Sequence, residues 1–482
     1  MRAFNALTSL VFASALVTPL ASLALFGYSD MAENPPAWSA GLMRAIAAND
    51  SQTRKALSRD LVTSTPAGMA AISARSWIDY EAIGFVHSDR VISGEGKWLF
   101  YTKQFADGNC HSEGQIRKLL MNIEAMRILA EAAGIRLIFS VSPDKSVVHP
   151  EKMGLYGSLA AGCKLTDAKR WRSMAKARGV DILDHLEPLA ERAADTILYS
   201  PVGTHWNRYG RALAIRQLAS FLEPDNKSIP YPEPTISKEK NDIDLLKMLR
   251  LDGNPTEYAP DDSWTKALRE ARIDDSGIMI LHDSFYGVSR KYLSELLPLA
   301  NMASYGDVSA ALGVNRPYTS TLLINTVERD FFSRVLYGAY GWKGALGEWL
   351  IERNRATAHC QYERRAVSSL RLMGMEAEGD MWRATADPQI MVDLASSGAS
   401  VCLRARLRTD APGMTELFLP FATDEGDTFT YGMSIAFRNL NGTERELEIV
   451  LPARFAGRTV RIDPVTGTGM IRDLIIETGV AY

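Results

Sequence analysis

The feature that most constrains this chain is a change of rhythm between residues 340 and 366. Before it, short apolar runs alternate with segments of helical period; after it, only short strands remain, separated by Gly, Asn, Asp and Pro. Strands that alternate with helices need parallel crossovers, so the first region predicts an α/β fold, a parallel sheet with helices on both faces. Its strand-like runs fall at 98–101, 135–141, 180–183, 196–199, 277–281 and 321–325, and its helical segments at 111–133, 166–178, 186–194, 208–222 and 285–296. The closely spaced runs at 400–407, 415–419, 433–438, 446–451, 459–462 and 470–477 predict an antiparallel β-sandwich of the jelly-roll kind. A chain of 482 residues is in any case too long for one hydrophobic core.

The expected order is therefore an N-terminal segment (1–30), a weakly patterned helical lead-in (31–85), the α/β domain (86–340), an arginine-rich connecting helix (341–365) and the sandwich (366–482). A prolyl and charged stretch, 223–262, interrupts the α/β rhythm as a long insertion that could border a site. The sandwich is either a carbohydrate-binding module or a structural cap.

The segment from Ala6 to Phe26 is mostly apolar behind Arg2 and shows no polar face, which predicts an export signal, cleaved or retained as a signal anchor. Cysteine usage agrees with an oxidising compartment. Pairing Cys110 with Cys163 and Cys360 with Cys402 closes the shorter loops, the alternative being four free thiols. A formal net charge of -3 leaves no basic footprint for nucleic acid, and no His/Cys cluster has metal-ligand spacing, so neither nucleic acid nor a metal is expected.

Two segments carry chemistry. In Leu281-His282-Asp283-Ser284-Phe285 the serine follows a buried-strand pattern and precedes a helix, the turn on which a nucleophile is best presented. In Gly203-Thr204-His205-Trp206-Asn207 the histidine is the available base for a hydroxyl that is a poor nucleophile without one. Read blandly, Ser284 caps a helix and His205 bonds inside the fold. An orienting carboxylate is useful two positions before the histidine, and there stands Gly203. Asp184 and Asp283 are candidate substitutes, and Asn207 is a further alternative.

Four motifs occur in order: Gly96-Lys97-Trp98-Leu99-Phe100-Tyr101; Ser142-Pro143-Asp144-Lys145 with His149-Pro150-Glu151; Gly203-Thr204-His205-Trp206-Asn207 with Gly210; and His282-Asp283-Ser284-Phe285. In that order, over about residues 86–340, the chain resembles the AlgX/AlgJ type of alginate O-acetyltransferases, SGNH-hydrolase-like proteins of the periplasm. The resemblance implies Ser284 as acetyl-accepting nucleophile and His205 as base. It also implies an exopolysaccharide substrate, a membrane-bound acetyl donor protein, other polysaccharide-export components as partners, a periplasmic location and no cofactor. The family usually has Asp-Thr-His-Trp and Gly-Asp-Ser; Gly203 and His282 depart from both, which leaves a catalytically weak polysaccharide-binding member, or a carbohydrate acetylesterase, as alternatives. Trp206 and Tyr286 are candidate sugar-stacking rings, core burial being the alternative for Trp206, and Lys145, with Asp144, is a candidate substrate contact or a solvated charged pair at a strand end. Asn109 is a candidate oxyanion donor or a turn residue beside Gly108.

Overall fold

The computed structural model describes residues 66–337 and 359–481, apart from 87, 106–109, 133, 225–228, 238, 240–241, 305–318, 397–399, 412 and 424–425. The expectations for the export segment, for Asn109 and for the connecting helix up to residue 358 lie outside the described residues.

Among the described residues the α/β region is built on five parallel strands: β3 (Arg136–Ser142), β4 (Leu183–Asp184), β7 (Ile278–His282), β8 (Asn301–Ser304) and β9 (Thr321–Val327), in the order β4-β3-β9-β7-β8. Continuous burial of β9, and of β3 after Arg136, is what two helix-covered faces require. Successive side chains serve opposite faces. Leu137, Phe139 and Val141 pack with Ile116, Leu119 and Ile123 of helix α1 (Glu113–Ala132) and with Trp171 of helix α2 (Gly162–Arg178). Ile138, Ile280 and Leu323 face the other way, toward Leu213, Ile215 and Leu218 of helix α3 (Arg208–Leu222).

Because β3 and β9 pair from Arg136–Thr321 to Ser142–Val327, and β7 pairs with β9, one edge of the sheet gathers the segments that follow all three strands. These are Pro143-Asp144-Lys145, Asp283-Ser284 and Glu328-Arg329. Such carboxyl edges are where ligands bind in open α/β sheets.

Three expectations need correction. Residues 99–101 form a strand, β2 (Leu99–Tyr101), but it pairs antiparallel with β1 (Val91–Ser93) in a separate hairpin. Residues 196–199 add no strand to the sheet: the chain reverses at Pro201–Gly203 and makes one antiparallel bridge, Tyr199 with Trp206. Residues 360–364 are not helical; they form β10 (Cys360–Arg364), paired with the last strand, β19 (Gly469–Ala481), and joined by the Cys360–Cys402 disulfide to β13 (Ser400–Thr409).

Among the described residues the C-terminal region is a ten-stranded antiparallel network. It folds over its own core because long strands change partners. Strand β12 (Met381–Asp393) pairs with β19 through Trp382–Ala384 and with β18 (Thr459–Asp463) through Ile390–Asp393, with Asp387 at φ 44° between. Its buried face, including Leu403, Leu417, Leu447 and Ile476, forms one cluster with Ile116 and Leu119 of α1. Arg454 adds a bidentate pair to Glu131 at the end of that helix. The disulfide Cys110–Cys163 ties the approach to α1 to the start of α2.

Candidate active site

Ser284 is exposed at the first position of a short helix, α4 (Ser284–Val288), directly after β7. Asp283 sets this turn. Its Oδ1 accepts from Phe285 N at 2.8 Å and its Oδ2 from Val327 N, so the carboxylate clamps the serine's helix to the end of β9. Burial pushes the Asp283 carboxyl up, opposed by these amides and by Arg329. The Phe285 N–H is thereby occupied.

His205 ends the turn that begins at Tyr199. Its ring lies edge-on to Phe285, the residue after Ser284, with ring centroids 5.0 Å apart. Its Nδ1 is 2.8 Å from Asp242 Oδ2, which also accepts from the His205 backbone N–H at 3.3 Å. Its Nε2 is buried and has no hydrogen-bond partner among the described residues, so the bond to Ser284 Oγ is not made in this state. Catalytic hydrogen bonds are often long in unliganded sites and tighten when substrate binds.

The carboxylate absent from position 203 is thus supplied from the inserted segment, and the glycine is what admits it. A Cβ placed on Gly203 would stand 2.6 Å from Asp242 Oδ2 and 2.8 Å from its backbone oxygen, inside any real contact distance. The two positions exclude each other's side chains. Burial pushes the Asp242 carboxyl up, but the His205 ring and the backbone N–H groups of His205 and Asp244 outweigh it and hold it below the usual range. Ser200 Oγ donates to the Asp242 carbonyl at 2.6 Å, and Asp244 takes Thr204 N at 2.7 Å and Thr204 Oγ1 at 2.5 Å.

His205, Asp242 and Asp244 bring ligand-type atoms within 4.8 Å of one another, a grouping a cation could use. Here Nδ1 is engaged by Asp242, and both Asp244 oxygens by Thr204, so the set already serves as a hydrogen-bonded frame.

The proposed substitute acids stand elsewhere. Asp184 is gripped by Arg172, at 2.5 Å from Nε and 3.0 Å from Nη2, and Asp283 faces backbone amides; neither bonds His205. Asn207 caps α3 by accepting from Gly210 N at 2.9 Å. Trp206 and Tyr286 are fully buried and so cannot stack on a sugar. Trp206 Nε1 donates to Ser289 Oγ at 3.1 Å, and the Tyr286 hydroxyl lies 2.9 Å from His185 Nε2 and 3.0 Å from Ser140 Oγ. Lys145 and Asp144 are likewise inside: Lys145 bonds backbone carbonyls, and Asp144 pairs with Arg329 at 2.7 Å and Lys164 at 3.0 Å. At this edge the aromatic and charged residues beside the motifs form the floor under the turn.

Residues 91–281 match the family described as SGNH hydrolase-like domain, acetyltransferase AlgX; the match ends at Leu281, short of Ser284. A probable alginate O-acetylase AlgJ of Azotobacter vinelandii is 24% identical over 166 residues, which are 34% of this chain and 42% of that protein. A second, from Pseudomonas syringae pv. tomato, is 24% identical over 132 residues, 27% of this chain and 33% of that protein. The chain therefore aligns with less than half the length of these curated relatives. Among solved structures, Pseudomonas aeruginosa AlgX is 15% identical with a TM-score of 0.37, covering 82% of this chain and 95% of its own. The O-acetyltransferase domain of Pseudomonas putida AlgJ is 15% identical with a TM-score of 0.34, covering 52% and 99%.

Proposed function

We propose, taking the AlgX/AlgJ type of residues 91–281 as the premise, that this chain is an exported O-acetyltransferase of exopolysaccharide modification, with the acetyl group carried on Ser284. The observation that carries the reading is His205: Nδ1 held by Asp242, Nε2 buried and unpartnered, and the ring against the residue that follows Ser284.

In this mechanism Ser284 Oγ attacks the carbonyl carbon of an acetyl donor while His205 Nε2 takes its proton. Asp242 fixes the tautomer that presents Nε2 and stabilises the imidazolium that forms. The donor's leaving group departs with that proton, leaving acetyl-Ser284. A sugar hydroxyl then attacks, His205 removes its proton, and the ester passes to the polymer as Ser284 is regenerated.

The polymer is expected to be alginate-like and the donor a membrane-bound acetyl carrier protein, with other export components alongside and the periplasm as the compartment. Gly203 favoured a binding protein of low activity; Asp242 removes that ground. A carbohydrate acetylesterase shares every step except the last acceptor, water in place of sugar.

The test is incubation of the full chain with an activated acetyl ester, followed by intact-protein mass and by acceptor analysis with an exopolysaccharide. A serine-dependent acetyl adduct, absent in Ser284→Ala, is expected, with transfer to sugar hydroxyls. Turnover to free acetate alone would assign the esterase, and glycan binding without any adduct would overturn the enzyme reading.

A further inference from the structure

Lys145, in the segment that follows β3, is fully buried. All three N–H bonds of an ammonium are used on one turn: Nζ donates to the carbonyls of Ser200 at 3.0 Å, Pro201 at 3.3 Å and Gly203 at 2.6 Å. The rings of Phe100 and Trp98 cover it, their centroids 5.1 and 5.5 Å from Nζ.

A buried cation is costly without a direct ion-pair partner, and Lys145 has none among the described residues, so its place here calls for a reason. The turn it binds is held from outside at its rim, by Leu99 N on the Pro201 carbonyl at 2.8 Å and by Asp244 on Thr204 N at 2.7 Å, while Lys145 Nζ joins three of its carbonyls at one point. Its own backbone contacts are long, 3.4 Å from Gly203 N to Ser200 O and 3.2 Å from Ser200 N to His205 O. Ser200 in turn holds the Asp242 carbonyl, so one amine reaches both halves of the His205–Asp242 pair. The acidic groups that face Lys145 electrostatically are Asp244, Asp242 and Glu257, with His149 on the other side and His205 at the end of the clamped turn. Glu257 is itself buried, with an unpartnered Oε1.

We infer that Lys145 is a positioning residue: its ammonium clamps the 200–203 turn that aims His205, and supplies the buried positive charge facing the carboxylates the insertion brings to it. This rests on the Ser284–His205 reading. Burial draws Lys145 down to about 7 against the pull of the three carboxylates, so the clamp carries a full set of donors only on the acid side of neutrality.

The test uses the full chain and two readouts. In Lys145→Met, kcat for an activated acetyl ester is expected to fall about 100-fold with KM little changed, because misplacement by an ångström is enough for such a loss. Lys145→Arg keeps the charge, but its planar fork does not match three converging carbonyls, so it should recover only part of the rate. Amide exchange supplies the second readout: protection at 203–207 should drop in Lys145→Met while the β3–β9 ladder keeps its own. Wild-type kcat and protection in that variant would overturn the inference, as would equal loss of protection across the ladder. If Ser284→Ala shows that wild-type turnover is not serine-dependent, the enzyme reading falls while exchange still decides the clamp. Should Lys145→Met fail to fold, the wild-type protein answers by itself. Raising pH through about 7 leaves two N–H bonds for three carbonyls, and His149, drawn down to about 4 by burial, stays neutral throughout. Protection at 203–207 must then fall relative to the ladder, and an unchanged ratio overturns the clamp.

Discussion

Asp242 Oδ2 and His205 Nδ1 lie 2.8 Å apart although 37 residues separate them in the chain. The ring is oriented by a carboxylate from the 223–262 segment and not by one on its own turn.

Asp242→Asn keeps the shape of this contact but lets the ring adopt the wrong tautomer. In acyl-transfer triads that change costs about ten-thousandfold in kcat, roughly 5.5 kcal/mol of barrier. Steady-state kinetics on an acetyl ester should show a loss of that order, with folding unchanged by circular dichroism. Wild-type turnover in this variant would remove Asp242 from the mechanism.

Gly203→Asp by itself should be harmful, since its Cβ would meet Asp242 Oδ2 at 2.6 Å. Combined with Asp242→Ala it returns the acid to the family's usual position. The double variant is expected to exceed Asp242→Ala in kcat by about tenfold, one 1.36 kcal/mol step, short of wild type because the Asp242 backbone oxygen still crowds the site. Double-mutant kinetics measures the coupling directly, and strict additivity would show that the two positions do not share a role.

Asp283→Asn sets an amide N–H against a backbone N–H at either Phe285 or Val327, because both carboxylate oxygens accept. An unpaired buried donor costs about 1–3 kcal/mol. Urea unfolding should register that loss, and acylation of Ser284 should slow as its turn loosens from β9. No change in either would mean that the clamp is not holding the turn.

Acid should weaken the fold before the carboxylates titrate. Burial draws His149 and His185 each to about 4, whereas an unfolded histidine titrates near 6.5. As pH falls from about 6.5 to 4 the unfolded chain takes up protons that the folded one refuses, so stability declines through that window. The loss between pH 7 and 5 is about 2 kcal/mol for each ring. His185→Gln, which can still bond Tyr286 and Ser140, should flatten the urea-midpoint profile by one ring's share; an unaltered profile would count against this account.

What was legible in the sequence follows from local chemistry. The apolar 277–281 run and Asp283-Ser284 mark a strand-to-helix turn because burial and capping act on neighbouring residues, and the structure has both there. The cysteine pairs follow from loop closure and are formed as Cys110–Cys163 and Cys360–Cys402. Asp242 was hidden because it acts across the fold from a segment without period. Its one signal was joint: a glycine where a carboxylate was wanted, and an Asp242-Ile243-Asp244 pair in the insertion beside the site. Tyr286 and Lys145 misled for the opposite reason, since side chains next to a motif can be its foundation as readily as its surface, the place that core burial already offered Trp206.

Helix Glu113–Ala132 lends its apolar side chains to the sheet that carries Ser284 and, in the same cluster, to the C-terminal strands. A tail fixed in this way is an outrigger rather than a pendant on a string. Its strands keep a constant bearing from Ser284, so the distance between the two regions is set by packing and not by the reach of a linker.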